Sequence, residues 1–222
     1  MTTPLFLSRA HFPVTTLGPG RRLGIWLQGC SIQCEGCVSA DTWGAQRGET
    51  TVATLMAAAS DWLRQADGVT ISGGEPFDQP EALKALLESI RSHTNVDILV
   101  YSGHAFEALE TRLPTFAGLI DALISDPYDR NAVQTLALRG SDNQRLHFLT
   151  QLGRSRFAEF GGRCASAEKR FDVMMDDNGT VWLAGIPGRG DFARLKHLLV
   201  RDGHLAVTTE DTSARGPAGI ET

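Results

Sequence analysis

Three short apolar runs, each ending in a turn and separated by helical patterns, constrain this chain more than any other feature. Gly24-Ile25-Trp26-Leu27-Gln28 reads as a first buried strand. Gly68-Val69-Thr70-Ile71-Ser72 is a second, and Val96-Asp97-Ile98-Leu99-Val100-Tyr101 a third. Val52, Leu55, Met56, Ala59, Leu63 and Ala66 fall at helical spacing, with Thr50 or Thr51 as the cap. Leu83, Leu86, Leu87 and Ile90 form a second helical face, with Asp78 as the cap and Pro80 in the first turn. A third helix is predicted over 105–112, and residues 119–124 and 146–149 are further apolar runs. Strands alternating with helices imply parallel βαβ units, right-handed, with binding sites at the carboxyl ends of the strands. A closed eight-fold barrel takes about 250 residues. The chain has 222, so the predicted fold is α/β, a partial (β/α)6-type open barrel of parallel strands.

The pattern changes near the C-terminus. Phe171-Asp172-Val173-Met174-Met175, Asn178-Gly179 and Thr180-Val181-Trp182-Leu183 read as a β-hairpin, because Asn-Gly favours the tight turn such hairpins use. A closing helix is predicted over 191–200. The predicted organisation is a barrel with its cysteine loop over 1–150, a hairpin-and-helix extension of the same domain over 151–207, and a flexible tail over 208–222.

Composition narrows the class. Hydrophobic residues make up 42% and charged residues 21%, ordinary values for a globular chain. The net charge of −5 provides no general attraction to nucleic acid or anionic membrane. No apolar run reaches the roughly 18 residues of a membrane span. The first residues lack the basic start and long apolar stretch of a secretory signal. The expected setting is the cytoplasm.

Three of the four cysteines, Cys30, Cys34 and Cys37, fall within eight residues. Three thiols cannot all pair with one another, and disulfides are rare in reducing cytosol. The C-x3-C-x2-C spacing lets three thiolates converge from one loop on a metal. An iron–sulfur cluster ordinarily takes four cysteines, so three leave one iron open to an outside ligand. A zinc site of these three with Cys164 or a histidine is the competing reading. Taken alone, Cys164 reads as a small buried hydrophobe.

Gly18-Pro19-Gly20-Arg21, the segment from Gln28-Gly29-Cys30 to Glu35-Gly36-Cys37, Asp41-Thr42-Trp43 and Ser72-Gly73-Gly74-Glu75-Pro76 together resemble the radical S-adenosylmethionine superfamily. The likeness is to activating proteins of glycyl-radical enzymes, especially those of anaerobic ribonucleotide reductase. Residues 121–129 and Arg139-Gly140-Ser141-Asp142-Asn143-Gln144-Arg145 resemble its small single-cluster branch, and the likeness spans roughly residues 12–150. It implies that Cys30, Cys34 and Cys37 hold three irons of a 4Fe-4S cluster, with S-adenosylmethionine on the fourth. Reductive cleavage of that cofactor would give methionine and a 5′-deoxyadenosyl radical, which abstracts a substrate hydrogen.

The cofactor-binding residues implied are Gly36, Cys37 and Val38 toward the adenosyl group, and Gly73, Gly74 and Glu75 toward the methionine moiety. Ser102 and Asp126, at later strand ends, are candidates for the ribose or methionine. Gly73 and Gly74 would let backbone carbonyls approach the methionine ammonium where a Cβ would collide; without the cysteines they read as a strand-ending turn. Val38 departs from the family pattern, which usually has an aromatic residue beside the third cysteine. Arg139, Asn143 and Arg145 read as carboxylate binders, loop organisers or solvated surface, and His104 as a strand-end hydrogen-bonding residue.

The resemblance implies an activase that makes a glycyl radical on a partner enzyme, served by an electron donor such as flavodoxin or ferredoxin. A second reading is radical modification of a small molecule or peptide, favoured by Gly185-Ile186-Pro187-Gly188-Arg189-Gly190-Asp191, a segment that could close the barrel. A third is a zinc-binding interaction module without catalysis.

Overall fold

The computed structural model describes residues 2–162, 171–175 and 181–204. Strands β1 (Pro4–Val14), β2 (Arg22–Leu27), β3 (Glu49–Thr51), β4 (Gly68–Gly73), β5 (Asp97–Tyr101), β6 (Ala122–Ser125) and β7 (Arg145–Phe148) form one sheet in the order β3-β1-β2-β4-β5-β6-β7. The four central strands β2, β4, β5 and β6 run parallel, while β1 and β7 flank them antiparallel. The sheet is open at β3 and β7, as in a partial barrel. A two-stranded hairpin, β8 (Phe171–Met175) and β9 (Val181–Gly185), and helix α6 (Asp191–Arg201) follow.

The central strands are apolar on both faces because both are covered. Leu23, Ile25 and Leu27 of β2, with Val69, Ile71, Ile98 and Val100, face one core. Helices α1 (Val52–Ala58), α2 (Ser60–Gln65) and α3 (Pro80–His93) complete that core. On the concave face Val14, Leu17 and Trp26 pack against Met174, Ala184 and Ile186. The C-terminal hairpin thus covers a face that further barrel strands would cover in a closed fold.

Several sequence expectations need correction. The run starting at Gly24 is the second strand of the sheet; β1 precedes it and pairs antiparallel with β2. Arg9, His11 and Pro13 break the apolar pattern of β1, and Arg9 is held instead by the Trp26 and Trp182 rings, 5.4 and 5.2 Å from its guanidinium. The helix predicted from Val52 is two helices divided at Ala59, where ψ rises to 3°. Its cap is Thr51, whose hydroxyl accepts from the Thr54 N–H at 3.1 Å. Asp78 does not cap α3. Pro80 opens that helix directly after Gln79, and Asp78 accepts from the Ser31 N–H and hydroxyl at 2.7 and 3.0 Å. The helix predicted over 105–112 is only α4 (Phe106–Leu109), because the chain turns so that Arg112 can donate to the Phe77 carbonyl.

The amino ends of the parallel strands are tied by a buried ionic network. Arg22, fully buried, donates to Asp97 at 2.6 Å, to Thr70 at 2.6 Å and to the Val69 carbonyl at 2.7 Å. Arg156, from helix α5 (Gln151–Phe157), reaches the other Asp97 oxygen at 2.9 Å. Gly68 has no side chain because a Cβ there would lie 2.2 Å from the Arg22 guanidinium. At the opposite end, β2 runs into the cysteine loop, β4 into Gly74-Glu75, β5 into Ser102-Gly103 and β6 into Asp126. The predicted hairpin turn at Asn178-Gly179, Cys164 and the predicted tail all lie outside the described residues. Among the described residues, no helix is long and apolar enough to cross a membrane.

Candidate active site

The carboxyl ends of the parallel strands surround a cleft of about 190 Å³, and the three cysteines line it. Their loop leaves β2 and turns three times in the left-handed region, at Gly29 (φ 97°), Gln33 (φ 50°) and Gly36 (φ 77°). It is anchored at both sides. Gly29 and Cys30 N–H donate to the Thr42 and Trp43 carbonyls, and the Glu75 N–H donates to the Gly29 carbonyl at 2.8 Å.

Each sulfur is approached by N–H donors: Gln33 and Ile32 at Cys30, Tyr128 at Cys34, and Ser39 with the Trp43 indole at Cys37. The Trp43 indole nitrogen is buried and has no acceptor at full hydrogen-bonding geometry. Such donors favour anionic sulfur. Burial opposes them, raising the Cys30 and Cys34 thiols and pushing Cys37 up to about 11. The thiols are free, and they become thiolates when a metal displaces their protons. Among the described residues, no three cysteine, histidine or carboxylate groups converge on one metal ion. A cluster places a different demand on its donors, because each thiolate takes its own iron and the sulfurs ring a volume. Three thiols around a cleft, each with an N–H directed at it, fit that demand.

Glu75 joins two strand ends. It is 1% exposed. One carboxylate oxygen accepts from the Phe77 N–H and the Ser102 hydroxyl, both at 2.9 Å, and the other from the Gly103 N–H at 2.8 Å. Burial pushes its carboxyl above the usual glutamate range, while these three donors hold it down. Its oxygens therefore hold the β4 and β5 loops in position.

The glycines before it have a structural cause that the sequence does not show. A Cβ on Gly74 would lie 1.9 Å from the Gly29 carbonyl oxygen, and one on Gly73, at φ 104°, would lie 2.4 Å from Leu27 backbone atoms. The space a side chain at Gly74 would need is thus filled by the residue next to Cys30. A side chain at Gly74 would therefore meet the protein's own backbone, whatever else binds there.

Gly36, Val38, Gly73, Gly74, Glu75 and Ser102 all line the cleft with the thiols. Asp126 is not among its lining residues. Its carboxylate accepts from Arg145 at 2.7 and 2.9 Å and from the Ser125 hydroxyl at 2.7 Å. Those bonds outweigh the burial that alone would raise it, and hold it low. Arg145 also bridges to Glu107, and Asn143 donates to the Pro127 carbonyl at 2.8 Å, so both organise loops. The His104 N–H donates to the Ser102 hydroxyl at 3.1 Å, a strand-end role.

Sequence reasoning passed over Trp26, Ile32, Trp43, Tyr128 and Gln134 as lining residues. Trp43 and Tyr128 lay within segments that carried the family likeness, but nothing in their spacing points them at the thiols. The Gly185–Arg189 strap enters the same cleft, held by the Gln134 amide at the Pro187 carbonyl, 2.9 Å, and by Arg189 at the Ala132 carbonyl.

An open, mostly parallel sheet with a thiol-lined cleft at its strand ends suits a protein that holds a single iron–sulfur cluster. Residues 16–147 match the family described as "4Fe-4S single cluster domain", and the chain belongs to that family. It is 31% identical over 134 residues to the anaerobic ribonucleoside-triphosphate reductase-activating protein of Enterobacteria phage T4, covering 58% of this chain and 85% of the relative. The Escherichia coli K12 protein of the same name is 28% identical over 149 residues, 63% of this chain and 96% of the relative. The pyruvate formate-lyase-activating enzyme of Streptococcus mutans is 25% identical over 150 residues, 62% of this chain and 57% of the relative. The chain is thus a radical S-adenosylmethionine enzyme, with a 4Fe-4S cluster and S-adenosylmethionine as cofactors.

Proposed function

We propose that the protein is an activase: it cleaves S-adenosylmethionine reductively and places a glycyl radical on a partner enzyme. When bound, a reduced 4Fe-4S cluster supplies one electron that splits S-adenosylmethionine into methionine and a 5′-deoxyadenosyl radical, which takes a hydrogen atom and leaves as 5′-deoxyadenosine. Cys30, Cys34 and Cys37 would hold three irons and leave the fourth for the amino acid part of the cofactor. The β4 end, with Gly73 and Gly74, lies in the same cleft, and Glu75 keeps it in register with Ser102-Gly103. Tyr128 touches the Gly36 turn, its ring 3.6 Å from where a Cβ would stand, and offers adenine the aromatic face that Val38 lacks. Trp26, Ile32 and the strap exclude water from the reacting centre.

The observation that carries this reading is the meeting of the three thiols and the Gly73-Gly74-Glu75 turn in one cleft. The activating role is supported by the relatives, which are named as activating proteins for ribonucleoside-triphosphate reductase and pyruvate formate-lyase. A reduced flavodoxin or ferredoxin is the electron donor in this reading, and the cytoplasm, where thiols stay reduced, is its setting. The test is to mix the reduced, cluster-loaded protein and S-adenosylmethionine with a glycyl-radical enzyme from the same organism. A doublet glycyl radical in the electron paramagnetic resonance spectrum, absent without S-adenosylmethionine, is the expected outcome.

The strap favours a second reading. Gly185–Arg189 lies beyond the family match that ends at residue 147, yet it forms part of the cleft wall. A narrowed cleft suits a small molecule or a peptide. Deoxyadenosine formation without any glycyl radical, stimulated by such a substrate, would favour it.

A further inference from the structure

We propose that a second cavity, adjoining the thiol cleft, binds a small organic carboxylate through Arg139. The cavity measures about 380 Å³, and it shares Gln134 and Ile186 with the thiol cleft. That volume lies at the small end of ligand pockets, which start at roughly 300 Å³.

Arg139 lines it and is only 6% exposed. Its Nε donates to the Ala137 carbonyl at 3.0 Å and one Nη to the Phe160 carbonyl at 2.6 Å. A guanidinium has five N–H groups, so three are left over. Among the described residues, no carboxylate ion-pairs with Arg139. Asp142, which acts on it only through its charge, gives its own oxygens to Thr135 and Leu136. A mostly buried guanidinium whose nearby carboxylate is bonded elsewhere is suited to take an anion directly.

The backbone is arranged around this side chain. Leu138 stands at φ 60°, a conformation a branched side chain rarely adopts, and the Tyr101 hydroxyl holds its carbonyl at 2.9 Å. Strain of this kind concentrates at ligand-holding positions. It fixes where Arg139 departs from the chain.

The walls indicate the rest of the ligand. Pro19, Leu138, Phe160 and Ile186 are apolar and suit a hydrocarbon body. Thr16 turns its hydroxyl to Asp172 and the Ala184 carbonyl, and Gln134 gives its amide to Pro187. Arg139 is therefore the cationic anchor, while Glu159, exposed at the rim, disfavours small highly charged anions. One carboxylate on a short apolar chain satisfies both the guanidinium and the walls. The site does not depend on the chemistry of the thiol cleft.

The test is anaerobic calorimetric titration of the cluster-loaded protein with pentanoate, pentanamide and inorganic phosphate. Pentanoate is expected to bind one per chain, with pentanamide weaker by at least about tenfold, the loss of a charge-assisted pair. Arg139→Gln, checked for folding by circular dichroism, is expected to lose the same factor for pentanoate. Equal binding of pentanoate and pentanamide, or no pentanoate binding, overturns the proposal using wild type alone, whatever the variant does. Unchanged pentanoate affinity in folded Arg139→Gln also overturns it. Phosphate binding more tightly than pentanoate would overturn the organic character of the ligand.

Discussion

Cys37 and its two neighbours differ in more than position. All three thiols are raised by burial, Cys37 to about 11. Alkylation needs the thiolate, whose fraction falls about tenfold for each pH unit below the pKa. In reduced apoprotein at pH 8, Cys37 should therefore react with iodoacetamide slowest of the three, and its rate should climb steadily up to about pH 11. Peptide-resolved mass spectrometry reads this directly; equal rates at the three sites would show that burial does not hold Cys37 protonated. Gly74 gives a second residue-scale prediction. Because its Cβ would meet the Gly29 carbonyl at 1.9 Å, Gly74→Ala should push the backbone just before Cys30. Overpacking of this kind costs about 1–3 kcal/mol, and cluster loading should fall with it. Gly118, at φ 73° with nothing within 4 Å, is the control. Gly118→Ala should cost only the left-handed backbone strain, about 1–2 kcal/mol, and leave iron binding intact. Iron content and urea melts of the two variants distinguish these effects. The role of Gly74 was legible as a need for glycine. Its cause was not, because Gly29 lies 45 residues earlier and only the parallel β2–β4 register brings them together.

At the scale of elements, the two ends of the parallel strands carry different work. The amino ends hold Arg22, Asp97 and Arg156, and the carboxyl ends hold the thiols and Glu75. Removing one partner of a buried pair leaves a buried charge, at a cost of about 3–5 kcal/mol. Asp97→Asn should destabilise the fold by that order in urea titration, with the protein that remains folded still loading iron normally. A loss below about 1 kcal/mol would show that the network is not what ties the strand starts. The strands β2, β4 and β5 were legible because buried parallel strands read as continuous apolar runs. Strand β1 was not, since its Arg9 and His11 are accommodated by Trp26 and Trp182, partners remote in sequence. The loss of Asp78 as a cap has the same origin: its tertiary partner Ser31 overrides local preference.

For the molecule as a whole, a compact sheet supplies the floor and a late segment supplies part of the roof. Residues 185–189 reach back over a cleft built by residues 17–144, and the hairpin that carries them is pinned by Asp172 to Thr15 and Thr16. The cysteine triplet and the Gly73-Gly74-Glu75 turn were legible as one site because their residue types are demanding. The walls were not, because apolar and aromatic lining residues look like any core. The claim that unites these scales is that the three thiols of this cleft hold the cluster that cleaves S-adenosylmethionine. Its most direct measurement is deoxyadenosine formation by anaerobically reconstituted, dithionite-reduced protein, with iron and sulfide counted on the same samples. Wild type and Cys164→Ala should carry one 4Fe-4S cluster and form 5′-deoxyadenosine and methionine, and Cys34→Ala should lose both cluster and product. An intact, reduced cluster that forms no deoxyadenosine even with candidate substrates, or a cluster that survives Cys34→Ala and is lost in Cys164→Ala, would contradict the account.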